Sequence, residues 1–223
     1  MTTSSALRGR FVVIEGGDGV GKSTQVAEVV AQLQAKAIDV IATREPGGTP
    51  LGEELRALLT TQHAIAPVAE ALLISAARAQ HCAQVIVPAL EKGIWVVSDR
   101  FDGSFLAYQG YGRGLPIGDL EEITRFSTSS LRPDLVILLI SKTSQGPYRT
   151  LDENDRFEGL GNSFHDRVAA GFLELAERFD WGIVGASGTI SEVTSRIMAL
   201  VEGRLGLAGN SGESQWPRGM APK

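Results

Sequence analysis

Cysteine, histidine and long apolar runs are scarce in this sequence of 223 residues. Its one cysteine, Cys82, excludes an internal disulfide framework and is compatible with a reducing compartment. Three widely spaced histidines and one cysteine also argue against a structural zinc site. No apolar run approaches the roughly 20 residues that span a bilayer, and the first ten residues (MTTSSALRGR) lack the apolar core of a secretory signal. We therefore expect a cytoplasmic protein that does not bind a membrane.

Net positive charge is lacking as well. The 21 lysines and arginines are outnumbered by 26 acidic residues, which gives a formal net charge of −5. This balance argues against nonspecific binding to nucleic acid or membrane surfaces through bulk charge. Any anion site must therefore draw its positive charge from a local cluster. Glycine, by contrast, is abundant at 26 residues, and its excess lies in the loops that carry the functional motifs.

Five short segments rich in β-branched and aliphatic residues predict strands at 11–15, 40–43, 94–98, 135–140 and 181–184. They lack apolar–polar alternation, which is typical of strands covered on both faces. Helical patterns lie between them: one after the first strand, then 51–60, 67–90 with Pro88 distorting its last turn, 121–130, 163–179 and 190–205. This alternation predicts an α/β fold with a five-stranded parallel sheet flanked by helices.

The domain organisation follows from composition. We interpret residues 11–202 as one domain, preceded by an N-terminal extension at 1–10. The segment 141–161 is long and polar for a loop, which predicts either a mobile lid or a disordered insertion. The tail 203–223 is rich in glycine, serine and proline and is predicted to be disordered.

A glycine-rich segment after the first predicted strand fits the phosphate-binding pattern GxxxxGK[ST] and opens a predicted helix. Glycines let successive backbone N–H groups converge on phosphate oxygens, and the helix N-terminus adds a favourable dipole. Lys22 is placed to reach the β and γ oxygens, and the Ser23 hydroxyl to ligate Mg²⁺. We predict an ATP site formed by Gly16, Gly17, Asp18, Gly19, Val20, Gly21, Lys22, Ser23 and Thr24.

Further cations follow the second and third predicted strands. Arg44 ends the second strand and Arg100 follows Asp99 at the end of the third. Because the carboxyl ends of parallel strands form one edge, we expect Arg44 and Arg100 to converge near the phosphate loop. Arg56 and Arg78 lie on the helices between and are candidates to join them, although Arg56 also follows two glutamates with which it could pair. Asp99 suits the acidic role near Mg²⁺.

Several cations beside one triphosphate site have a mechanistic interpretation if the acceptor is itself a phosphate. Fixed guanidinium groups offset the repulsion between two polyanions. The acceptor oxygen is already ionised near neutral pH, so positioning and charge neutralisation carry the catalysis without a strong general base. This interpretation fits the lack of a histidine at the predicted strand ends.

An ordered set of motifs resembles the thymidylate kinase family from about residue 11 to residue 200: IEGGDGVGKST, TREPGGTPLGEELR, SAARAQ, SDRFDGS, LAYQGYGRG, RPDL, and DRFE followed by FHDRVAAGFLELA. The resemblance implies a P-loop NTPase fold of the nucleoside-monophosphate-kinase type with a lid, and a homodimer. It also implies ATP- and Mg²⁺-dependent in-line phosphorylation of thymidine monophosphate to the diphosphate. Two alternatives stay open: a kinase for another or modified deoxynucleoside monophosphate, and a low-turnover nucleotide-binding regulatory protein.

The resemblance also implies roles for single residues. Asp18 would meet the sugar 3′-hydroxyl, and Tyr108 would disfavour a ribose 2′-hydroxyl. Acceptor binding would further involve Arg44, Pro46, Arg56, Ile74, Arg78, Arg100, Phe105 and Gln109, with the three arginines 44, 56 and 100 on the phosphate and Arg78 and Gln109 on the base. Gly19 stands where some members have arginine, which implies that Arg149 or Arg156 of the lid joins Lys22 and Arg100 in catalysis.

The base pocket departs from the family pattern. Ile74 stands where the family usually has a phenylalanine that stacks on the base, and Phe105 stands where it usually has a small polar residue. One hypothesis is that the aromatic surface has moved from position 74 to position 105. The alternative is that Ile74 belongs to the helix core and Phe105 fills a void.

Overall fold

The computed structural model describes residues 8–60, 64–141 and 162–207. Arg149 and Arg156 lie outside the described residues, as do nearly all of the predicted lid and the end of the predicted tail. The domain boundaries at residues 10 and 202 stay predictions. Within the described ranges, none of the helices combines the length and the apolar character needed to cross a bilayer.

The fold is built on five strands, all paired in parallel. They are β1 (Phe11–Gly16), β2 (Val40–Arg44), β3 (Trp95–Asp99), β4 (Leu135–Ile140) and β5 (Gly182–Gly185). Their order in the sheet is β2-β3-β1-β4-β5. The central strand, β1, is buried along its whole length. The sequence prediction of five parallel strands is confirmed, with every strand boundary within one residue.

The sheet has its switch point at β1, which pairs with β3 on one side and β4 on the other. Ligands of open α/β sheets bind in the crevice outside the carboxyl ends of strands at such a point. The loops after β1, β2 and β3 all emerge at this edge, so the motifs predicted to bind phosphate are brought to one crevice.

The helices of the described ranges are α1 (Lys22–Ala35), α2 (Pro50–Thr60), α3 (Pro67–His81), α4 (Val87–Glu91), α5 (Asp102–Phe105), α6 (Ile117–Ser127), α7 (Asn162–Arg178) and α8 (Ile190–Leu205). A π-helical segment, Cys82–Ile86, joins α3 to α4 and interrupts the helix predicted over 67–90. There the Val87 N–H donates to the Cys82 carbonyl, five residues earlier. The widened turn directly precedes Pro88, which has no N–H with which to continue the regular pattern.

Two helix predictions need correction. The helix predicted over 121–130 is wrong at both ends, because α6 begins after the extended Pro116 and stops before the left-handed Ser129 and Ser130. The helical stretch of α5 and the π-helical segment Leu106–Gly112 was not predicted, because its three glycines disfavour a helix. Tertiary packing overrides that preference: a Cβ at Gly112 would lie 2.5 Å from the Phe164 ring, so glycine permits the close approach of α7.

The core lies on both faces of the sheet. One cluster joins β1 to α1 and α8 through side chains such as Ile14, Val29 and Ile197. A second cluster, on the side of α3 and α7, contains Phe105 and Tyr108. Burying one such large side chain contributes about 1.5–3 kcal/mol. The second cluster also forms the wall of the site, so the same packing that stabilises the fold holds the site rigid.

Candidate active site

The phosphate loop joins the end of β1 to the start of α1, as the sequence predicts. Gly16 and Gly21 adopt φ of 146° and 94°, conformations that favour glycine. A Cβ at Gly16 would also lie 2.6 Å from the Leu139 carbonyl oxygen. Backbone geometry therefore requires glycine where the motif has it.

Lys22 is buried inside this loop, and its Nζ donates to the Gly17 carbonyl oxygen at 2.6 Å. Burial, and then the positive charge of Arg100, lower the pKa of Lys22 to about 8. A phosphate placed in the loop would give the amine a stronger acceptor than a neutral carbonyl.

The two residues predicted to hold Mg²⁺ are in contact. Ser23 Oγ donates to Asp99 Oδ2 at 2.5 Å. The contact arises because β1 pairs with β3 in a register that sets Ile14 opposite Asp99, just before the loop. A hydroxyl and one carboxylate fit Mg²⁺, which takes oxygen ligands and usually completes its shell with waters and substrate phosphates.

Arg100 connects β3 to the phosphate loop. Its Nη1 donates to the Gly16 carbonyl oxygen at 3.0 Å and to Ser104 Oγ at 2.7 Å, and its Nη2 donates to the Asp18 carboxylate. The Tyr108 hydroxyl donates to the other Asp18 oxygen. Burial disfavours the charged carboxylate, but Arg100 and Lys22 outweigh that effect and lower the pKa of Asp18. Asp18 is therefore a fixed negative charge at the centre of the crevice.

The phosphate cavity is the space between the loop and the ends of β2 and β3. It is lined by Asp18, Gly19, Gly21, Lys22, Ser23, Thr24, Arg44, Glu45, Arg56, Asp99 and Arg100. The structure thus brings Arg44 and Arg100 together beside the phosphate loop, and Arg56 with them. Gly17 and Val20 instead line a recess beside the end of β4.

Arg44 and Arg56 are held differently at this cavity. Arg44 Nη2 pairs with Glu53 Oε2 at 2.8 Å, and the Arg44 side chain is 55% exposed. Arg56 Nη1 donates to the Pro46 carbonyl oxygen at 3.1 Å. Of the two glutamates that precede Arg56 in the sequence, Glu53 therefore pairs with Arg44. An exposed ion pair contributes only about 0–1 kcal/mol, so Arg44 can exchange Glu53 for a ligand phosphate at little cost.

The inner cavity opens from the same place and shares Asp18, Glu45, Arg56 and Arg100 with the phosphate cavity. Its other lining residues are Pro46, Leu59, Thr60, Ile74, Arg78, Phe101, Ser104, Phe105, Tyr108 and Gln109. All the residues that the resemblance assigns to the sugar and the base therefore line one space that continues from the phosphate cavity.

Arg78 is buried in the wall of the inner cavity, 1% exposed. Its Nε donates to Glu45 Oε2 at 2.7 Å and its Nη2 to the Phe101 carbonyl oxygen at 3.0 Å. Its Nη1 is buried and has no hydrogen-bond partner among the described residues. Leaving a buried donor unpaired costs about 1–3 kcal/mol, so this nitrogen points to a ligand that carries a hydrogen-bond acceptor.

Comparison with known proteins identifies the family. Residues 14–197 match the family model described as thymidylate kinase. The chain belongs to the thymidylate kinase family. The thymidylate kinase of Synechococcus sp. (strain CC9605) is 45% identical over 200 residues, covering 86% of this chain and 96% of that protein. That of Carboxydothermus hydrogenoformans is 42% identical over 203 residues, covering 90% and 100%.

A solved structure agrees with this family. The crystal structure of thymidylate kinase from Ehrlichia chaffeensis matches with a TM-score of 0.73 at 25% identity, covering 87% of this chain and 99% of that one. The resemblance drawn from the ordered motifs is confirmed, and so is the fold class, a P-loop nucleoside monophosphate kinase with a five-stranded parallel sheet.

Ile74 and Phe105, the two departures from the family pattern, face the same inner cavity. Both are also part of the second core cluster. The Phe105 ring lies 5.0 Å from the Arg78 guanidinium, which Phe101 flanks at 5.2 Å. Phe105 therefore contributes both to the core and to the cavity wall, and a stacking role for it stays a hypothesis.

His81 is a residue of the site region that the sequence reasoning missed. It is wholly buried, with Nδ1 3.0 Å from Glu45 Oε1 and Nε2 2.6 Å from Thr43 Oγ1. His81 reaches Thr43 of β2 from the end of α3, and it is not among the residues that line the two cavities. The signal was present, because Arg78 and His81 are three residues apart on one helix and so share a face that both present to Glu45.

Proposed function

We propose that this protein transfers the γ-phosphoryl group of ATP to the phosphate of dTMP, giving ADP and dTDP. Membership of the thymidylate kinase family supports the reaction class. The observation that links this reaction to the site is the buried, unpartnered Nη1 of Arg78, a residue that lines a cavity continuous with the phosphate loop. A ligand that reaches from Arg100 to Arg78 would need an anionic end and an acceptor-bearing ring, as a nucleoside monophosphate has.

The donor would bind along the phosphate loop. Backbone N–H groups of residues 16–24 would bind the phosphates of ATP, with Lys22 against the β and γ oxygens. Ser23 and Asp99 would hold Mg²⁺, which when bound neutralises part of the charge of the β and γ phosphates. The role of Lys22 is to supply positive charge where negative charge accumulates as the phosphoryl group moves.

The acceptor phosphate would lie among Arg44, Arg56 and Arg100. One of its oxygens attacks the γ-phosphorus of ATP, the bond from that phosphorus to the bridging oxygen breaks, and ADP leaves with the electron pair. No proton need be removed, since the attacking oxygen is already ionised. The arginines offset the repulsion between the two anions and hold them in line.

The sugar and base would fill the inner cavity. Asp18 would receive the sugar 3′-hydroxyl, and the Tyr108 hydroxyl on Asp18 would disfavour a 2′-hydroxyl there. Arg78 and Gln109 would contact the polar edge of the base, next to Pro46, Ile74 and Phe105. Arg149 and Arg156 lie outside the described residues, so a transition-state role for either stays a prediction. We place the reaction in the cytoplasm.

A panel of acceptors tests the function. Initial rates of acceptor-dependent ADP release would be measured with dTMP, dUMP, dCMP, dAMP and dGMP. We expect dTMP to give the highest kcat/KM. Another monophosphate exceeding dTMP by tenfold would assign the enzyme to a different acceptor. ATP hydrolysis that needs no acceptor would indicate a nucleotide-binding regulatory protein instead.

Replacing Phe105 tests the proposed movement of the aromatic surface. Stacking of a base on an aromatic ring contributes about 1–3 kcal/mol, so Phe105→Ser is expected to raise KM for dTMP about tenfold. Phe105→Leu keeps the apolar volume and separates stacking from void filling: stacking predicts that KM stays high, and void filling predicts recovery. Phe179→Ser, away from both cavities, is the control. An unchanged KM for Phe105→Ser would reject the movement.

We propose a homodimer formed through α2 and α3, which pack together and expose apolar side chains. Leu51 and Leu58 on α2 are each 43% exposed, and Val68 and Leu72 on α3 are 57% and 53% exposed. Leu72→Asp is expected to shift the protein towards the monomer in sedimentation velocity. Ile190→Asp, at a site of 54% exposure on α8, should leave the dimer intact. If Leu72→Asp and the wild type both sediment as dimers, this surface is not the dimer interface.

A further inference from the structure

Glu70 of α3 is a wholly buried carboxylate next to the inner cavity. Gln109 Nε2 donates to its Oε1 at 2.9 Å. Arg113 Nε donates to the same oxygen at 3.1 Å and Arg113 Nη2 to Oε2 at 2.9 Å. Arg113 is itself held against the Phe164 ring, 5.5 Å from its centroid. A buried charge is costly unless paired, and Arg113 provides that pairing.

This arrangement determines which way the Gln109 amide points. A side-chain amide has a donor end and an acceptor end, and rotation by half a turn exchanges them. An ionised carboxylate has no hydrogen to donate, so only the NH₂ end can face Glu70. The carbonyl oxygen of Gln109 is then directed to the inner cavity, which Gln109 lines.

We infer that Glu70, held by Arg113, is a positioning residue that fixes the Gln109 amide and so selects a base with an N–H donor beside a carbonyl oxygen. The inference rests on the proposed function. Arg78 lines the inner cavity and has an unpartnered donor in Nη1, and Gln109 lines the same cavity with an acceptor in its amide oxygen. The N3–H and C4 carbonyl of thymine match this pair. Cytosine has an acceptor at N3 and an amino donor at C4, so it is mismatched at both atoms.

Glu70→Gln tests the inference while keeping the shape of the side chain. The new amide can offer an NH₂ group, which allows the Gln109 amide to turn. We expect kcat/KM for dTMP to fall about tenfold, the usual order for a lost hydrogen bond to substrate that leaves a polar group unpaired. The value for dCMP should not fall, and KM for ATP should not change. Glu121→Gln, which alters a glutamate paired with Arg178 at 2.8 Å, is the matched control.

A double-mutant cycle separates positioning from a general structural effect. If Glu70 acts through Gln109, adding Glu70→Gln to Gln109→Ala should change kcat/KM for dTMP by less than about twofold. The inference would be overturned if the two substitutions lower kcat/KM by factors that multiply in the double variant. It would also be overturned if Glu70→Gln lowers kcat/KM equally for dTMP and dCMP. Failure of the proposed function has a different signature, since the wild-type enzyme itself would then prefer another acceptor.

Arg113→Leu supplies the test if Glu70→Gln does not fold. Without the guanidinium, Glu70 loses the two Arg113 N–H groups that hold its carboxylate in place, so the carboxylate no longer keeps the Gln109 amide in one orientation. The preference for dTMP over dCMP should then fall in the same direction and again depend on Gln109. An unchanged preference in folded Arg113→Leu would overturn the inference.

Discussion

Replacing Lys22 with methionine is expected to lower kcat by about 10²–10³-fold, the range for loss of one group that stabilises transition-state charge. This factor corresponds to about 2.7–4 kcal/mol of activation free energy. The amine is buried in the phosphate loop, where a charge acts more strongly than in water. Methionine keeps most of the apolar length of the side chain, so the loop should keep its shape. Steady-state ADP release measures kcat, and calorimetric titration measures dTMP affinity.

Measuring kcat and dTMP affinity together shows whether Lys22→Met affects the chemical step or acceptor binding. Because Lys22 contacts the donor phosphates in the proposed function, dTMP affinity should stay within about threefold of the wild type. Lys36→Met is the matched control, since Lys36 directly follows α1 at the surface, where it pairs with Glu202 at 3.0 Å. A kcat for Lys22→Met within tenfold of the wild type would remove Lys22 from the chemistry.

Replacing Arg100 with methionine is expected to lower kcat/KM for dTMP by about 10²-fold or more. The variant loses a cation that joins the phosphate loop, Asp18 and Ser104, and it leaves the Asp18 carboxylate without its main counter-charge. Arg100→Lys should recover only part of the activity, because an ammonium group cannot reproduce the planar set of N–H donors that a guanidinium offers. Initial rates at varied dTMP measure the loss.

Arg44→Met is the comparison for Arg100→Met, because both arginines line the phosphate cavity but only Arg44 is largely exposed. We expect its loss in kcat/KM to be at least tenfold smaller. Thermal unfolding of each variant shows whether it is folded at the assay temperature. Equal losses for the two variants, both folded, would contradict a central role for Arg100.

Much of the fold and the position of the site could be predicted from the sequence. Continuous aliphatic runs such as LVILLI are typical of strands covered on both faces, and the strand boundaries were confirmed within one residue. The convergence of Arg44 and Arg100 also followed from the sequence, because the carboxyl ends of parallel strands share an edge. Both results depend on local pattern and on topology.

The buried polar contacts could not be predicted in the same way. Glu45 with His81, and Glu70 with Gln109 and Arg113, join residues about 35–45 positions apart in the chain. These pairings depend on how α3 packs against the loop after β2 and against the π-helical segment Leu106–Gly112. The glycines of that segment are required by the close approach of α6 and α7, which the sequence does not show.

The unequal exposure of the two arginines has a consequence for ionic strength. Mobile ions screen charges over about 8 Å at physiological salt, and they act on exposed groups far more than on buried ones. Arg44, which is 55% exposed, would therefore speed the arrival of a phosphomonoester in dilute buffer and lose that influence as salt rises. Arg100 is only 15% exposed, so its attraction for the bound phosphate would change little with salt. Added salt would therefore slow the binding of the phosphomonoester more than it would speed its dissociation.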